Sequence, residues 1–407
     1  MKSADQEERS CREVGNKCII LGAGASYGNN EELAKELRPP LGRDVLSRAH
    51  ERGILCKEKY PSLYDSLITF CGKSGKDSKR FSDIDIEVFL SELASRLEII
   101  TTKLSENISP PTKEVIDLVT SEFRNDFKKA WENVKGSFND SSEIKALRRE
   151  AFILQSALGE SWYLMFELFR DYSIEYNSGL DCYRKLALSY VDNKYGVISL
   201  NYDIIFELAV NSCGMSISYP FSGSENSIVA DEHKIRVAKV HGSVNWFNHG
   251  GLSFKDTTSG SYELLHEIAG TIYNNRYKVK PAWLVSPSEI GLVKMNKILT
   301  SGLEYFEPAL LPPIGNYKDY GKVQYFIPNW TLAEEMIETS DELIIIGTQL
   351  RTTDKEVRQL LHTRAKGDVE ISVVGSKPTD NEMESIFGHS IRMKERYPTF
   401  ASYAESL

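Results

Sequence analysis

Paired cysteines are missing from this 407-residue sequence, because none of its six cysteines has another at the two-residue spacing used by zinc sites and thiol redox motifs. A chain of this length also needs no disulfide bonds to hold its core. We therefore expect no metal, buried free thiols and a reducing compartment.

Long apolar runs and an excess of positive charge are missing as well. No stretch approaches the roughly 20 apolar residues that cross a bilayer, and residues 1–9 are too polar and acidic for a secretory signal. The net charge of −9 repels a phosphate backbone, and the basic stretches at residues 73–80 and 278–280 are short and interrupted. We expect a cytoplasmic protein that contacts no membrane and binds no nucleic acid directly.

Short apolar runs of the kind that form buried strands are present five times. Parallel strands covered on both faces by helices have this pattern, and helices are predicted after two of the runs, at residues 204–211 and 354–365. The sequence thus predicts an α/β fold with a Rossmann-like parallel sheet. The predicted strands are residues 18–21, 196–200, 235–240, 343–346 and 369–374.

A large inserted helical module is predicted between the first two strands, because apolar residues recur there at helical spacing. The residues that carry this pattern include Val88, Leu90, Leu93, Leu97 and Ile100, and further helices are predicted at residues 145–158, 162–172 and 180–192. The predicted units are a polar tail at 1–15 and a main domain at 16–407, interrupted by the helical insertion at 81–192 and a loop-rich subdomain at 250–325.

Small residues follow the first predicted strand in the turn Gly22-Ala23-Gly24-Ala25-Ser26. Such a turn lets the backbone approach a pyrophosphate closely, while the N–H groups at the start of the next helix hold negative charge. Taken alone the motif is a weak signal, since turns of this kind occur in many α/β proteins.

Polar side chains follow the second and third predicted strands. Asn201 and Asp203 come at the end of the second strand, where open α/β sheets bind ligands, although an isolated Asn or Asp at such a place is more often the cap of the helix that follows. His241 comes directly after the third strand and is followed by Gly242. A lone histidine is most often a structural residue, but an imidazole at this edge could also accept a proton as a general base.

Small residues again follow the last two predicted strands, as Gly347-Thr348 and Gly375-Ser376. These turns could pack against a ribose or a phosphate, whereas the nearby Asp354 is better explained as the cap of the next helix. The carboxyl ends of parallel strands meet at one edge of a sheet, so the five turns predict a single ligand-binding crevice.

In their order and their amino-acid sequences these turns resemble the motifs of the sirtuin family, and in particular its NAD-cleaving branch in bacterial anti-phage defence. The resemblance runs from residue 18 to residue 376. It implies that Asn201 and His241 are catalytic. It also implies that NAD is bound by Gly22, Ala23, Gly24, Ser26, Asp203, Gly347, Thr348, Gly375 and Ser376.

The departures from the family pattern bear on the activity. Deacetylases of the family carry four zinc-binding cysteines between the His-Gly motif and the Gly-Thr turn, and this sequence has no cysteine there and thus no predicted zinc-binding subdomain. The family's Gly-Ile-Pro-x-Phe-Arg segment is replaced by Pro39-Pro40-Leu41-Gly42-Arg43-Asp44, and Ser199-Leu200 replace Thr-Gln. The resemblance therefore implies an NAD hydrolase rather than a protein deacetylase.

The implied mechanism is loss of nicotinamide from the ribose through an oxocarbenium-like state, followed by capture by water or an internal nucleophile. Asn201 would position the ribose hydroxyls and the water, His241 would act as base, and Asp203 would orient Asn201 or the nicotinamide amide. Two alternatives stay open: a module that senses NAD or ADP-ribose without catalysis, and a zinc-free deacylase or ADP-ribosyltransferase. The resemblance further implies an antiviral effector that depletes NAD, forms a homo-oligomer through the helical insertion, and works with a partner ATPase, helicase or sensor.

Overall fold

A seven-stranded sheet forms the centre of the structure, and all of its strand pairs are parallel. The computed structural model describes residues 16–75, 81–82, 84–107, 142–176, 180–191, 193–221, 233–249, 283–284, 306–310, 326–352, 354–375 and 378–407. Its strands are β1 (Lys17–Leu21), β2 (Tyr195–Ser199), β3 (Ser216–Ser218), β4 (Lys234–Lys239), β5 (Gly242–His249), β6 (Trp283–Leu284), β7 (Phe306–Leu310), β8 (Glu342–Ile346), β9 (Glu370–Val374) and β10 (Arg392–Tyr397). The predicted α/β fold with a Rossmann-like parallel sheet is confirmed.

Helices flank this sheet and extend from one of its edges. They are α1 (Ala23–Gly28), α2 (Val45–Glu51), α3 (Pro61–Ser74), α4 (Ile86–Asn107), α5 (Ser142–Glu175), α6 (Asp181–Ser189), α7 (Ile205–Ser212), α8 (Phe326–Thr339), α9 (Lys355–Arg364), α10 (Asp380–Phe387) and α11 (Phe400–Ala404). Within the ranges given above, no helix is both long enough and apolar enough to cross a membrane.

Both faces of the central strands β1, β2, β8 and β9 are buried, which explains why these strands are near-continuous apolar runs. On β1, Ile19 and Leu21 pack into the core on one face, and Cys18 and Ile20 pack into the core on the other. Helices α6, α7 and α11 cover the first face, and helices α8, α9 and α10 cover the second. Polar groups of these central strands can therefore reach a ligand only where the strands end.

The strand order is β10-β9-β8-β1-β2-β4-β3, and its topological switch point lies between β1 and β8. Strands β2 and β4 follow on one side of β1, and strands β8, β9 and β10 lie on the other side. The loops at such a switch point diverge and leave a crevice beyond the carboxyl ends of the strands. The five turns singled out in the sequence follow β9, β8, β1, β2 and β4, so they lie side by side along this edge.

A helical layer, made of α2, α3, α4 and α5, packs next to the same edge. Its core includes Phe89 and Phe166, and it also takes in Tyr202 and Ile204 from the turn after β2. Residues 145–158 and 162–172, predicted as two helices, belong to the single helix α5. Residues 159–161 between them are helical as well, and both halves of α5 bury apolar side chains in the same core.

A small antiparallel sheet with the order β6-β5-β7 follows the last residues of β4 and was not predicted. Strand β5 begins at Gly242, directly after His241, and pairs there with Leu310 of β7. Most of the predicted loop-rich subdomain at 250–325 and the whole predicted tail at 1–15 lie outside the described residues. The division into these units stays a prediction.

The turns after β1 and β8 touch each other backbone to backbone. The N–H of Gly24 donates a hydrogen bond of 2.8 Å to the carbonyl of Gly347. A Cβ on Gly347 would lie 2.0 Å from the backbone nitrogen of Ala25, and Gly347 also has a φ of +65°. A Cβ on Gly22 would lie 2.4 Å from the Cβ of Thr348. Gly22 and Gly347 are therefore needed for the close packing of the two turns, whether or not a ligand also approaches them.

We predict that Gly347→Ala lowers the free energy of unfolding by at least about 2 kcal/mol, since it adds left-handed strain to a backbone clash. Gly367→Ala is the matched control, because Gly367 has an ordinary φ and no atom lies within 4 Å of the place where a Cβ would stand. Urea unfolding of both variants measures the difference. Equal stabilities would show that the two turns can separate without cost.

Candidate functional site

A cleft of about 430 Å³ lies at the carboxyl edge of the sheet, over the switch point between β1 and β8. We refer to it as the main cleft. Its floor is made of the small turn residues predicted from the sequence, and His241 lines it from the end of β4. The predicted residues that line it are Gly22, Ala23, Gly24, Gly347, Thr348, Gly375 and His241. Ser376, which was also predicted, lies outside the described residues.

A smaller cavity of about 100 Å³ adjoins the main cleft, and we refer to it as the side pocket. Asn201 and Asp203 line it, together with apolar side chains of the Pro39-Pro40 segment and of α5. The two polar residues that follow β2 thus face a different cavity from the glycine turns. They also face a different cavity from His241, although all three residues come from one edge of the sheet.

Ser26 does not line either cavity but is fully buried beneath them. Its hydroxyl donates to Oδ1 of Asp203 at 3.1 Å and accepts from Nδ2 of Asn201 at 3.1 Å. The phenol oxygen of Tyr183 lies 3.1 Å from the hydroxyl oxygen of Ser26. Burial raises the pKa of this phenol, so it keeps its proton and can donate to Ser26. Ser26 therefore joins the turn after β1 to the turn after β2.

Asn201 offers an acceptor to the side pocket. The carboxylate of Asp203 takes the hydroxyl hydrogen of Ser26, so Ser26 can only accept from Asn201, and this fixes the amide nitrogen on the Ser26 side. The other amide atom, Oδ1, is buried and accepts no hydrogen bond from any residue that the structure describes. Burial of a carbonyl oxygen costs free energy unless a donor, such as a ligand or a water molecule, forms a hydrogen bond to it.

His241 is 5% exposed, and its ring orientation is fixed by the backbone. Nδ1 lies 3.2 Å from the carbonyl oxygen of Leu200, and a carbonyl only accepts, so Nδ1 carries the hydrogen in the neutral ring. The ring also stacks on Tyr202, with 6.1 Å between centroids. This arrangement makes Nε2 the basic nitrogen of a histidine that lines the main cleft.

The expectation that Asp203 caps a helix also has support, since its Oδ1 accepts the N–H of Ile205 at 3.1 Å at the start of α7. The cap and the contact with Ser26 use the same carboxylate. Burial raises the pKa of Asp203, and the ammonium group of Lys239 opposes this shift. Asp354 is the first residue before α9 but makes no side-chain cap there. Instead it lines the main cleft.

A buried ion pair fixes the turn after β2 from behind. Lys239, the last residue of β4, is 0% exposed and donates to Oε1 of Glu207 at 2.8 Å and to the backbone carbonyl of Asp203 at 2.5 Å. Tyr219 donates to the same carboxylate at 3.1 Å. Since Lys239 lies two residues before His241, one ammonium group connects the two strand ends that carry the predicted catalytic residues.

Sequence reasoning missed the charged side chains that line the main cleft. Arg38 and Arg351 are among them, as is Glu87 from the first turn of α4. Arg43 also lines it, and the sequence had marked Arg43 only as part of a segment that departs from the family pattern. No periodicity distinguishes these residues, because each reaches the cleft through contacts between distant segments. Within the described part of the chain, no group of three or more His, Cys, Asp or Glu side chains is placed to hold a metal ion.

Comparison with known proteins gives weak likenesses. No protein-family profile matches the chain, and no curated protein matches it. Among solved structures, a Sir2 mutant with a p53 peptide and NAD is 10% identical, with a TM-score of 0.30, and the match covers 60% of this chain and 79% of that one. A structure from work on the mechanism and regulation of Sir2 enzymes is 12% identical, with a TM-score of 0.28, over 59% of this chain and 75% of that one. Similarity at this level does not establish a shared activity.

We predict that Lys239→Met lowers the free energy of unfolding by about 3–5 kcal/mol, because it leaves the carboxylate of Glu207 buried without its cation. The double variant Lys239→Met/Glu207→Met removes both charges and should recover at least about 1 kcal/mol relative to the sum of the single changes. Urea unfolding of the four proteins gives this coupling. Additive losses would mean that the pair does not stabilise the turn.

We predict that the stability of wild type relative to Asp203→Asn falls as the pH rises from about 4 to about 7. Folding raises the pKa of Asp203, so the folded state binds the proton more tightly than the unfolded chain does. Its favourable contribution is complete at low pH and is lost as the pH rises through the folded-state pKa. Urea unfolding of both proteins across this range tests the sign. A difference that grows in favour of wild type would show that the charged form is the stabilised one.

Proposed function

We propose that this protein is an NAD glycohydrolase, which cleaves the bond between nicotinamide and ribose and releases nicotinamide and ADP-ribose. The observation that carries the proposal is the pair Asn201 and His241. Asn201 lines the side pocket and has a buried carbonyl oxygen, and His241 lines the adjoining main cleft and has a buried basic nitrogen. The motif resemblance to NAD-cleaving enzymes supports the same pair.

The shapes of the two cavities suit the two halves of NAD. The main cleft is large and is lined by turns of small residues, by three arginines and by three acidic residues. The turns and the arginines suit a pyrophosphate, and the acidic residues suit ribose hydroxyls. The side pocket is small and mostly apolar, with three carboxylate residues and Asn201 in its lining, which suits a cationic aromatic ring with a carboxamide. The bond between ring and ribose would then lie where the cavities meet.

In the proposed reaction, the bond between the nicotinamide nitrogen and C1′ breaks, and its electron pair goes to the nitrogen. The positive charge passes from the ring to the ribose, which becomes oxocarbenium-like. Water adds to C1′, and Nε2 of His241 takes the proton that the water loses. Asn201 holds the nicotinamide amide or the water in position, and the Asp203–Ser26 chain holds Asn201.

The motif resemblance also supports a biological role, in which the enzyme depletes NAD to stop phage infection. We propose self-association through the helical layer, because Val88 and Ile99 of α4 are apolar and more than half exposed. A partner ATPase, helicase or sensor would release the activity. Light scattering of the purified chain tests the self-association, and a monomer at all concentrations would contradict it.

Incubation of the purified protein with NAD, alone and with the product of a neighbouring gene, tests the activity. We expect nicotinamide and ADP-ribose in equal amounts, and a loss of at least about 100-fold in kcat for His241→Ala and for Asn201→Ala. His389→Ala is the matched control, because His389 precedes β10 and lines neither cavity.

Other products would identify the alternatives. NAD that binds but stays intact under every condition would point to a sensing module. ADP-ribose attached to protein would indicate a transferase, and removal of acyl groups from a peptide would indicate a deacylase. Cleavage that survives in His241→Ala would overturn the role given to this histidine.

A further inference from the structure

The main cleft and the side pocket share five lining residues, and these define the junction between the two cavities. They are Ala23, Gly42, Glu87, Leu200 and Tyr202. Burial raises the pKa of Tyr202 well above its ordinary value, so this phenol stays neutral. Among the described residues, Glu87 is therefore the one side chain at the junction that can carry a charge near neutral pH.

Glu87 is held in this position from two sides. It is the second residue of α4, and its backbone N–H donates to Oδ1 of Asp85 at 3.0 Å. Its side chain is 9% exposed, with Oε2 3.9 Å from Nη1 of Arg351, which also pairs with Asp85 at 2.6 Å. Arg351 lies in the turn after β8, so it supplies the counter-charge that a buried carboxylate needs and ties α4 to the sheet.

We propose that Glu87 is a catalytic residue whose carboxylate stabilises the positive charge at the nicotinamide–ribose bond. The inference rests on the proposed function, which places this bond at the junction of the two cavities. As the bond breaks, the charge moves from the ring to C1′ and the ring oxygen of the ribose. A fixed anion beside that charge lowers the energy of that state.

The carboxylate forms no covalent bond and moves no proton in this role. The electron pair of the broken bond leaves with nicotinamide, and the proton of the attacking water goes to His241. Glu87 acts only through its charge. For this reason Glu87→Gln, which keeps the shape and removes the charge, is the informative substitution.

We expect Glu87→Gln to lower kcat for NAD cleavage by about 100-fold, with a smaller change in KM. Glu92→Gln is the matched control, because it removes the same charge from the same helix and lines neither cavity. Asp85→Asn removes a carboxylate that lines the side pocket and pairs with Arg351, but leaves the carboxylate of Glu87 at the junction. A loss in Asp85→Asn as large as that in Glu87→Gln would show that the effect is not specific to the charge of Glu87, and would overturn the proposal.

A binding measurement tests the position of the charge without any turnover. The nicotinamide ring is cationic in NAD and neutral in NADH, so Glu87→Gln should weaken NAD binding about tenfold relative to NADH binding, and should leave ADP-ribose binding unchanged. Calorimetric titration of His241→Ala, with and without Glu87→Gln, gives these affinities while hydrolysis is suppressed. An unchanged NAD-to-NADH ratio would overturn the role of Glu87. Intact NAD with the wild type, together with a shifted ratio, would overturn the hydrolase function and leave the charge at the junction established.

Discussion

The contact between the turns after β1 and β8 is the constraint on which the rest of the site depends. These turns follow the two strands where the strand order reverses, and their backbones touch at Gly24 and Gly347. Side chains at these positions would push the strands apart and close the space above them. Because no side chains stand at the contact between the turns, a cleft remains above the centre of the sheet. Residues from the ends of the neighbouring strands line it.

A chain of polar contacts then fixes the strand ends relative to one another. Ser26 connects the first turn to Asn201 and Asp203, and Lys239 connects Asp203 to β4, the strand that precedes His241. These groups are buried, so each bond lost would leave a polar atom without a partner and without water. The orientation of the two proposed catalytic side chains is thus set before any ligand binds, which favours the proposed chemistry over a passive surface.

The sequence predicted those parts of the molecule that local patterns encode. Buried strands and the small or polar residues after them are local, and parallel pairing brought the five turns to one edge. The dual use of Asp203, as a cap and as a partner of Ser26, could not be separated from the sequence, since either use asks for the same residue. Strand β5 and the charges around Arg351 were missed because their partners lie far away in the chain.

The origin of Glu87 has a consequence for how the site comes together. Asn201 and His241 follow strands of the sheet, whereas Glu87 belongs to the helical layer. The two parts meet through the core around Tyr202 and Ile204 and through the bridge from Asp85 to Arg351. The complete set of groups therefore exists only while that layer is seated on the sheet edge. Separation of the layer from the sheet would therefore divide the set into two parts, each of which lacks groups that the proposed reaction needs.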